Sequence, residues 1–395
     1  MKKTLSCLIS GMMILVTSAV FAGINYPDIN VTGQVSLRAT DVANLDDFKD
    51  NAGDNINAIE SRLRLFLSSD LADNVKLSAM LQKNKKTYGE DADTLLSVQN
   101  EVAIKHANIA INGIADKVDL VVGQMEYGKK FNSLVYYALS IDGILAKMAC
   151  GQVDVTLVDA KISTGNKDNL QILGLSGKIG EVALTGTLYN QDPEKGNNNR
   201  VTALSAVGNV PGVKGLSYSV EYAMQEDHVK NYKTDAEAML IKVGYGMETD
   251  MGKLNFGLVS MDASGDKVST TDKDEKYTGV VPSLKLTPIA SDKMANNAYN
   301  DDFAYDTNLS NKKGMVLNAS LAMNENLTMG IAYGKYKLNE GTEKNLGSEI
   351  ALSANYKQAD NIGLDLVIAQ FDPKKGMSVN TDKATKIQAG MKIEF

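Results

Sequence analysis

Apolar and polar residues alternate strictly near the start of the chain, with Ile29, Val31, Gly33, Val35 and Leu37 set against Asn30, Thr32, Gln34, Ser36 and Arg38. A period of two puts the first set on one face of a β-strand and the second on the other. The same dyad returns at Ile59, Leu63, Leu65 and Leu67, at Val75, Leu77, Ala79 and Leu81, and at Val182, Leu184, Gly186 and Leu188. It continues through Leu216 to Tyr222, Leu317 to Met323, Leu327 to Tyr333, Ile350 to Tyr356 and Ile362 to Ile368, and ends with Ile387, Ala389, Met391, Ile393 and Phe395. An all-β chain is predicted.

Alternation alone suits a soluble sandwich as well as a membrane barrel. The connectors separate the two. Long ones at 40–56, 84–97, 127–142, 190–200, 226–235, 263–313, 338–347 and 373–384 alternate with short ones at 68–74, 113–116, 147–151, 177–180, 209–214, 247–252, 324–326 and 358–361. Long loops on one side and tight turns on the other are the habit of an outer-membrane barrel, with the turns periplasmic. The loop near 162–168 is of moderate length. Counting segments predicts a transmembrane antiparallel β-barrel of about eighteen strands with both ends in the periplasm. The weaker pieces near 143–149, 169–176 and 201–208 leave sixteen open. Closure follows from physics, since an unpaired backbone N–H or C=O in hydrocarbon costs several kcal/mol. Tyr222, Tyr245, Tyr333, Tyr356 and Phe371 fall near strand ends and fit an interfacial girdle or ordinary sheet composition equally.

Composition then narrows the class. Lys2 and Lys3, the apolar stretch Leu5–Val20 and Val20-Phe21-Ala22 before Gly23 read as a secretory signal peptide over 1–22, leaving 23–395 as the barrel. Cys7 leaves with that segment and Cys150 is then alone, so no internal disulfide is expected. A net charge of −7, with no basic tract and no Trp, argues against nucleic acid as a partner.

The closing run Ile387-Gln388-Ala389-Gly390-Met391-Lys392-Ile393-Glu394-Phe395 resembles the last strand of bacterial outer-membrane proteins. That resemblance implies recognition of the terminal Phe395 by the barrel assembly machinery. Gly33-Gln34-Val35-Ser36-Leu37-Arg38, Ser61-Arg62-Leu63-Arg64-Leu65-Phe66-Leu67, Val121-Val122-Gly123-Gln124 and Ile141-Asp142-Gly143 resemble Gram-negative porins of the large major-outer-membrane-protein and alginate-export type. The resemblance implies a passive water-filled channel for small hydrophilic solutes, commonly a homotrimer set in outer-membrane lipid and lipopolysaccharide, whose third extracellular loop narrows the pore. Gly123-Gln124 stands where such strands often carry Gly-Arg.

The chain has four arginines, and Arg38, Arg62 and Arg64 occupy polar alternates of the first two strands. Lys76 takes the equivalent face of the third strand. Lys386 and Lys392 take it on the last strand, which closure sets beside the first. These six are expected to form a basic wall in the lumen that attracts anions, because low-dielectric walls strengthen the field of such a cluster. The bland alternative is simple solvation of the lumen and pairing with Glu60, Glu394 or loop carboxylates. Residues 127–142 are the candidate constriction loop, bringing Glu126 and Asp142 toward the wall.

The acidic loop 263–313 is expected to be a solvated surface loop. Calcium binding there stays open, although its spacing matches no twelve-residue calcium loop. Enzymatic chemistry is poorly served: His106 on the lumen face and His228 in a loop are the two histidines, and no metal-ligand cluster or cofactor motif appears. Phe66, Tyr189 and Tyr336 are isolated inward rings, read as packing. A competing class is a surface structural or adhesive barrel whose loops bind a partner.

Overall fold

The structure, a computed structural model, describes residues 28–45, 48–50, 55–88, 102–127, 134–136, 139–162, 168–192, 198–229, 232–267, 273–280, 284, 286–290 and 309–395. The expected signal peptide lies outside them. In chain order the strands are β1 Ile29–Ala43, β2 Ile56–Ala72, β3 Val75–Tyr88, β4 Val102–Ile114, β5 Val118–Tyr127, β6 Leu139–Cys150 and β7 Val153–Ile162. Then come β8 Asn169–Ile179, β9 Val182–Asp192, β10 Asn199–Asn209, β11 Leu216–Val229, β12 Tyr232–Thr234, β13 Ala236–Thr249 and β14 Gly252–Ala263. β15 Lys273–Asp274, β16 Lys312–Ala322, β17 Leu327–Leu338, β18 Asn345–Ala359, β19 Ile362–Pro373 and β20 Ala384–Glu394 complete the order.

β12 and β15 form a short parallel pair outside the wall, with Lys233 opposite Lys273. The other eighteen strands make one closed antiparallel barrel, in which each strand pairs with its neighbours in the sequence. The count left open by the sequence is therefore eighteen, because the weak segments become full strands β6, β8 and β10 of 12, 11 and 11 residues. β1 closes on β20, with Gln34 opposite Glu394 and Ala43 opposite Thr385. Gly33 N–H donates to the Phe395 carbonyl at 2.6 Å, and Phe395 N–H returns the bond to Gly33 at 3.0 Å. The Phe395 ring lies over Gly33, where a Cβ would meet ring carbons at 2.3 to 2.9 Å.

The dyad reads directly in the burial. Leu317, Ile331, Leu352 and Leu366 are exposed on the outer face, as a wall in hydrocarbon requires. No helix among the described residues is long and apolar enough to cross a membrane; the strands do so. Short turns bring β6 to β7 and β8 to β9, where Gly151 (φ +66°) and Gly180 (φ +60°) take the left-handed conformation.

The buried apolar residues lie inside the barrel rather than between two sheets. One cluster joins Leu134, Val135, Tyr136, Tyr277, Leu284 and Leu309 from connectors to the inner face of β5–β14. A second joins Leu45, Phe48, Ile289 and Ala290 to Val42, Val316, Tyr336, Ala351, Ala369, Phe371 and Ala384. Two expectations are corrected here. The long connector 263–313 is not simply a solvated surface loop, since its described stretches around 277, 284, 286–290 and 309 are buried against the inner wall. Phe371 is not part of an outer girdle: it is fully buried, 5.7 Å from the Phe48 ring and 6.4 Å from Tyr336. Tyr245, Tyr333 and Tyr356 do face outward and are exposed. His228 belongs to β11 rather than to a loop.

Candidate functional site: the lumen wall and its inward loops

Register fixes which basic residues share the inner face. Ser36 of β1 lies opposite Arg62 on one side and Lys392 on the other; Gln34 lies opposite Arg64 and Glu394; Arg38 lies opposite Glu60 and Gly390. Inward positions of β20, β1 and β2 therefore form three adjoining rows. Lys386 is two inward rows beyond Arg38 toward the extracellular end, opposite Val42. Lys76 is on the inner alternate of β3 but opposite Asp70, one pair from the periplasmic turn and well away from the arginines.

Carboxylates interleave with the cations. Arg38 Nη1 is 3.7 Å from Glu60 Oε2, with both side chains mostly buried. Arg64 Nε donates to Gln82 Oε1 at 2.9 Å, and Lys392 pairs with Glu394. Asp365 leans over Gly390, where a Cβ would meet its Oδ1 at 2.2 Å. Such pairing holds the guanidinium groups in fixed directions and lowers the local net charge. Lys386 is buried, and so is Gln82.

Glu126 and Asp142 do not join this wall, which corrects the expected eyelet. They alternate with Met125 and Ile141, which are buried in the lumen cluster, so they occupy the outward alternates of β5 and β6. Glu126 Oε2 is 3.9 Å from His106 Nε2, and Asp142 stands opposite Gln124 and Lys161. The described part of the connector between β5 and β6 is apolar. Leu134, Val135 and Tyr136 are fully buried. The phenol of Tyr277 donates to the Leu134 carbonyl at 2.9 Å, and Val280 N–H donates to the Val135 carbonyl at 3.1 Å. Burial pushes the Tyr277 phenol well above its ordinary value, so it stays a neutral donor.

Two buried polar side chains tie the long connector to the wall. Gln225 of β11 donates to Asn199 Oδ1 at 3.0 Å and Thr278 Oγ1 at 2.8 Å, and accepts from the N–H groups of Thr278 and Gly279 at 2.8 and 3.1 Å. Asn199 completes the set by donating to the Gly279 carbonyl at 2.7 Å. Glu349 of β18, 1% exposed, accepts from Thr287 Oγ1 at 2.6 Å and from the N–H groups of Ile289 and Ala290 at 2.9 and 2.7 Å. Thr287 also bonds the Tyr336 hydroxyl. A buried carboxylate so engaged is a strong tether, because charge-assisted bonds exceed neutral ones and desolvation punishes their loss.

The sequence carried signals for these groups. Leu134-Val135-Tyr136 is an apolar run, and Leu284, Leu286, Ile289 and Ala290 are closely spaced apolar positions, inside long connectors, which a solvated loop has no reason to hold. Thr287-Pro288 is a helix start, with Thr before a first-position Pro. Among the described residues, no group of three or more His, Cys, Asp or Glu could hold a metal.

The profile of the Gram-negative porin family matches residues 10–376. No curated protein sequence matches the chain. Solved structures share the fold at low identity. OccK11 (OpdR) of Pseudomonas aeruginosa has a TM-score of 0.60 and 12% identity, covering 92% of this chain and 96% of its own. OprD from the same organism has 0.60 and 11%, with 93% and 94% covered. OpdK of Pseudomonas aeruginosa with vanillate has 0.61 and 12%, with 93% and 98% covered. These are OprD-type channels, and they do not carry the expected likeness to the major-outer-membrane-protein and alginate-export branch.

Proposed function

The chain belongs to the Gram-negative porin family, and on that premise we propose that its channel passes small hydrophilic solutes with a preference for anions, steered by Arg38, Arg62, Arg64 and Lys392. The protein is a passive outer-membrane channel for small solutes. The preference is the finer reading, and one observation carries it. Among the described residues, the lumen clusters draw members from β1, β5–β11, β13, β14 and β16–β20, and none from β2, β3 or β4. The strands that contribute no member to either cluster include the two that bear Arg62, Arg64 and Lys76.

Solute crossing the narrow zone then runs along guanidinium groups on one side and an apolar loop surface on the other. That pairing suits a small organic carboxylate, whose charge meets arginine while its apolar part meets the loop. OpdK, structurally alike, is known with vanillate, an aromatic carboxylate. The reading includes a homotrimer and recognition of Phe395 by the assembly machinery, both from the resemblance.

The test is single-channel conductance in a planar bilayer with a salt gradient. The wild type should conduct stably with a reversal potential on the anion-selective side. Joint replacement of Arg38, Arg62, Arg64 and Lys392 by Gln should move it toward or past zero. An unchanged reversal potential and conductance would overturn the role of the wall, and a folded barrel that never conducts would overturn the open channel.

A further inference from the structure

The outer face of the barrel carries a second cationic feature, separate from the pore. Lys313 and Lys337 lie opposite each other on the outward alternates of β16 and β17, and the next outward row pairs Met315 with Lys335. All three lysines are exposed. Lys313 Nζ is 2.6 Å from Asp262 Oδ2. Lys335 Nζ stands 5.9 Å from the centre of the Tyr333 ring. Toward β18 their neighbours are Asn345 and Ser348, which carry no charge.

Directly below these rows, on the same outer face, is an apolar groove of about 470 Å³ lined by Tyr245, Phe256, Leu258, Leu317, Ile331 and Tyr333. Its rows follow the lysine rows without a break: Leu258, Leu317 and Tyr333, then Phe256, Ala319 and Ile331. From the Lys313 row to the Ala322–Thr328 row at the periplasmic end is about 30 Å of strand at roughly 3.3 Å per residue. With a tilt of about 40°, that is close to the roughly 25 Å height of a barrel's apolar band. The lysines thus sit at the outer boundary of hydrocarbon and the groove within it.

We infer that this face binds a phosphorylated glycolipid of the outer leaflet, with phosphate against Lys335, Lys337 and Lys313 and an acyl chain in the groove. Cations at this boundary gain from anionic headgroups, and an apolar furrow gains from a chain that fills it. Charge complementarity selects this side of the barrel. On the outward rim of β5, β6 and β7, by contrast, Asp142 stands between Gln124 and Lys161, a row with no net positive charge to hold phosphate.

Native mass spectrometry of the full barrel in detergent, with diphosphorylated lipid A as the probe, tests the site. The wild type should retain the lipid, and the Lys335→Gln/Lys337→Gln double variant should retain about tenfold less. Dephosphorylated lipid A should bind weakly to both. Leu317→Asn, in the groove, should weaken binding while preserving the preference for phosphate. Equal retention by wild type and double variant, or indifference to the phosphates, overturns the proposal. So does an oligomer that Leu317→Asn dissociates while lipid retention is unchanged, because the groove would then receive a second copy of the chain. The double variant should conduct as the wild type does, so this test and the pore test fail independently.

Discussion

At the scale of single residues, the lumen is organised by polar groups that serve apolar loops. Tyr277 shows the logic: its ring fills the inner cluster, and its hydroxyl satisfies a buried carbonyl of another connector. Tyr277→Phe leaves the Leu134 carbonyl without that donor and should cost about 1 kcal/mol. Exchange of the Val280 amide, bonded to Val135, should then quicken by about fivefold if the contact opens locally. The sign of the pH effect follows from the raised phenol. Folding favours the protonated form, so the contribution is complete below the ordinary phenol value of 10.0 and is lost as pH climbs toward the raised folded value. A difference titration of phenolate absorbance between wild type and Tyr277→Phe should isolate one phenol that remains protonated well past pH 10. A phenol that ionises near pH 10 would mean that Tyr277 is wet.

At the scale of elements, strands were legible and connectors were not. Strands advertise themselves because lipid outside and water inside impose a period of two, which Ile29–Leu37 or Ile387–Phe395 cannot satisfy as helices. The closure of β20 on β1 was legible for the same reason, and with it the company of Lys392 and Arg62 on either side of Ser36. Connectors obey no period, so their fate turns on individual burial partners far away in sequence. The acid content of 263–313 suggested solvation, while Glu349, some sixty residues on, holds part of that stretch inside the barrel. Glu126 and Asp142 misled because a loop's flanking residues follow strand parity, and parity turns both outward. Glu349→Ala should release the tethered stretch. With Cys150 replaced by Ser and Ile289 by Cys, thiol labelling of that buried position should be slow in the parent and at least tenfold faster with Glu349→Ala, since losing a charged tether costs about 1.5–3 kcal/mol. Equal labelling rates would show that the apolar contacts of Ile289 and Ala290 hold the segment unaided.

At the scale of the whole molecule, the barrel and its filling do separate jobs. The wall is a closed ladder in which every strand has two neighbours, so it has no edge to protect and no need of a disulfide. Among the described residues the filling is asymmetric: the two apolar clusters draw on most of the strands but on none of β2, β3 and β4, the first of which carries Arg62 and Arg64. That asymmetry depends on closure, because β1 and β20 carry half of the wall between them, and a seam that opened would separate Arg38 and Lys392. The last link of the seam is the Gly33–Phe395 pair, with two backbone bonds at the periplasmic end and a ring over a residue that has no side chain to obstruct it. Removing Phe395 deletes both bonds and should lower the stability of the refolded barrel by about 1–3 kcal/mol. Replacing Gly33 by Val should displace the ring while keeping the bonds, and so cost less. Urea titration followed by the loss of the folded electrophoretic form measures both. If the two variants unfold at the same denaturant concentration as wild type, the seam is held by the rows from Gln34 to Ala43 alone, and Phe395 matters only before the barrel has closed.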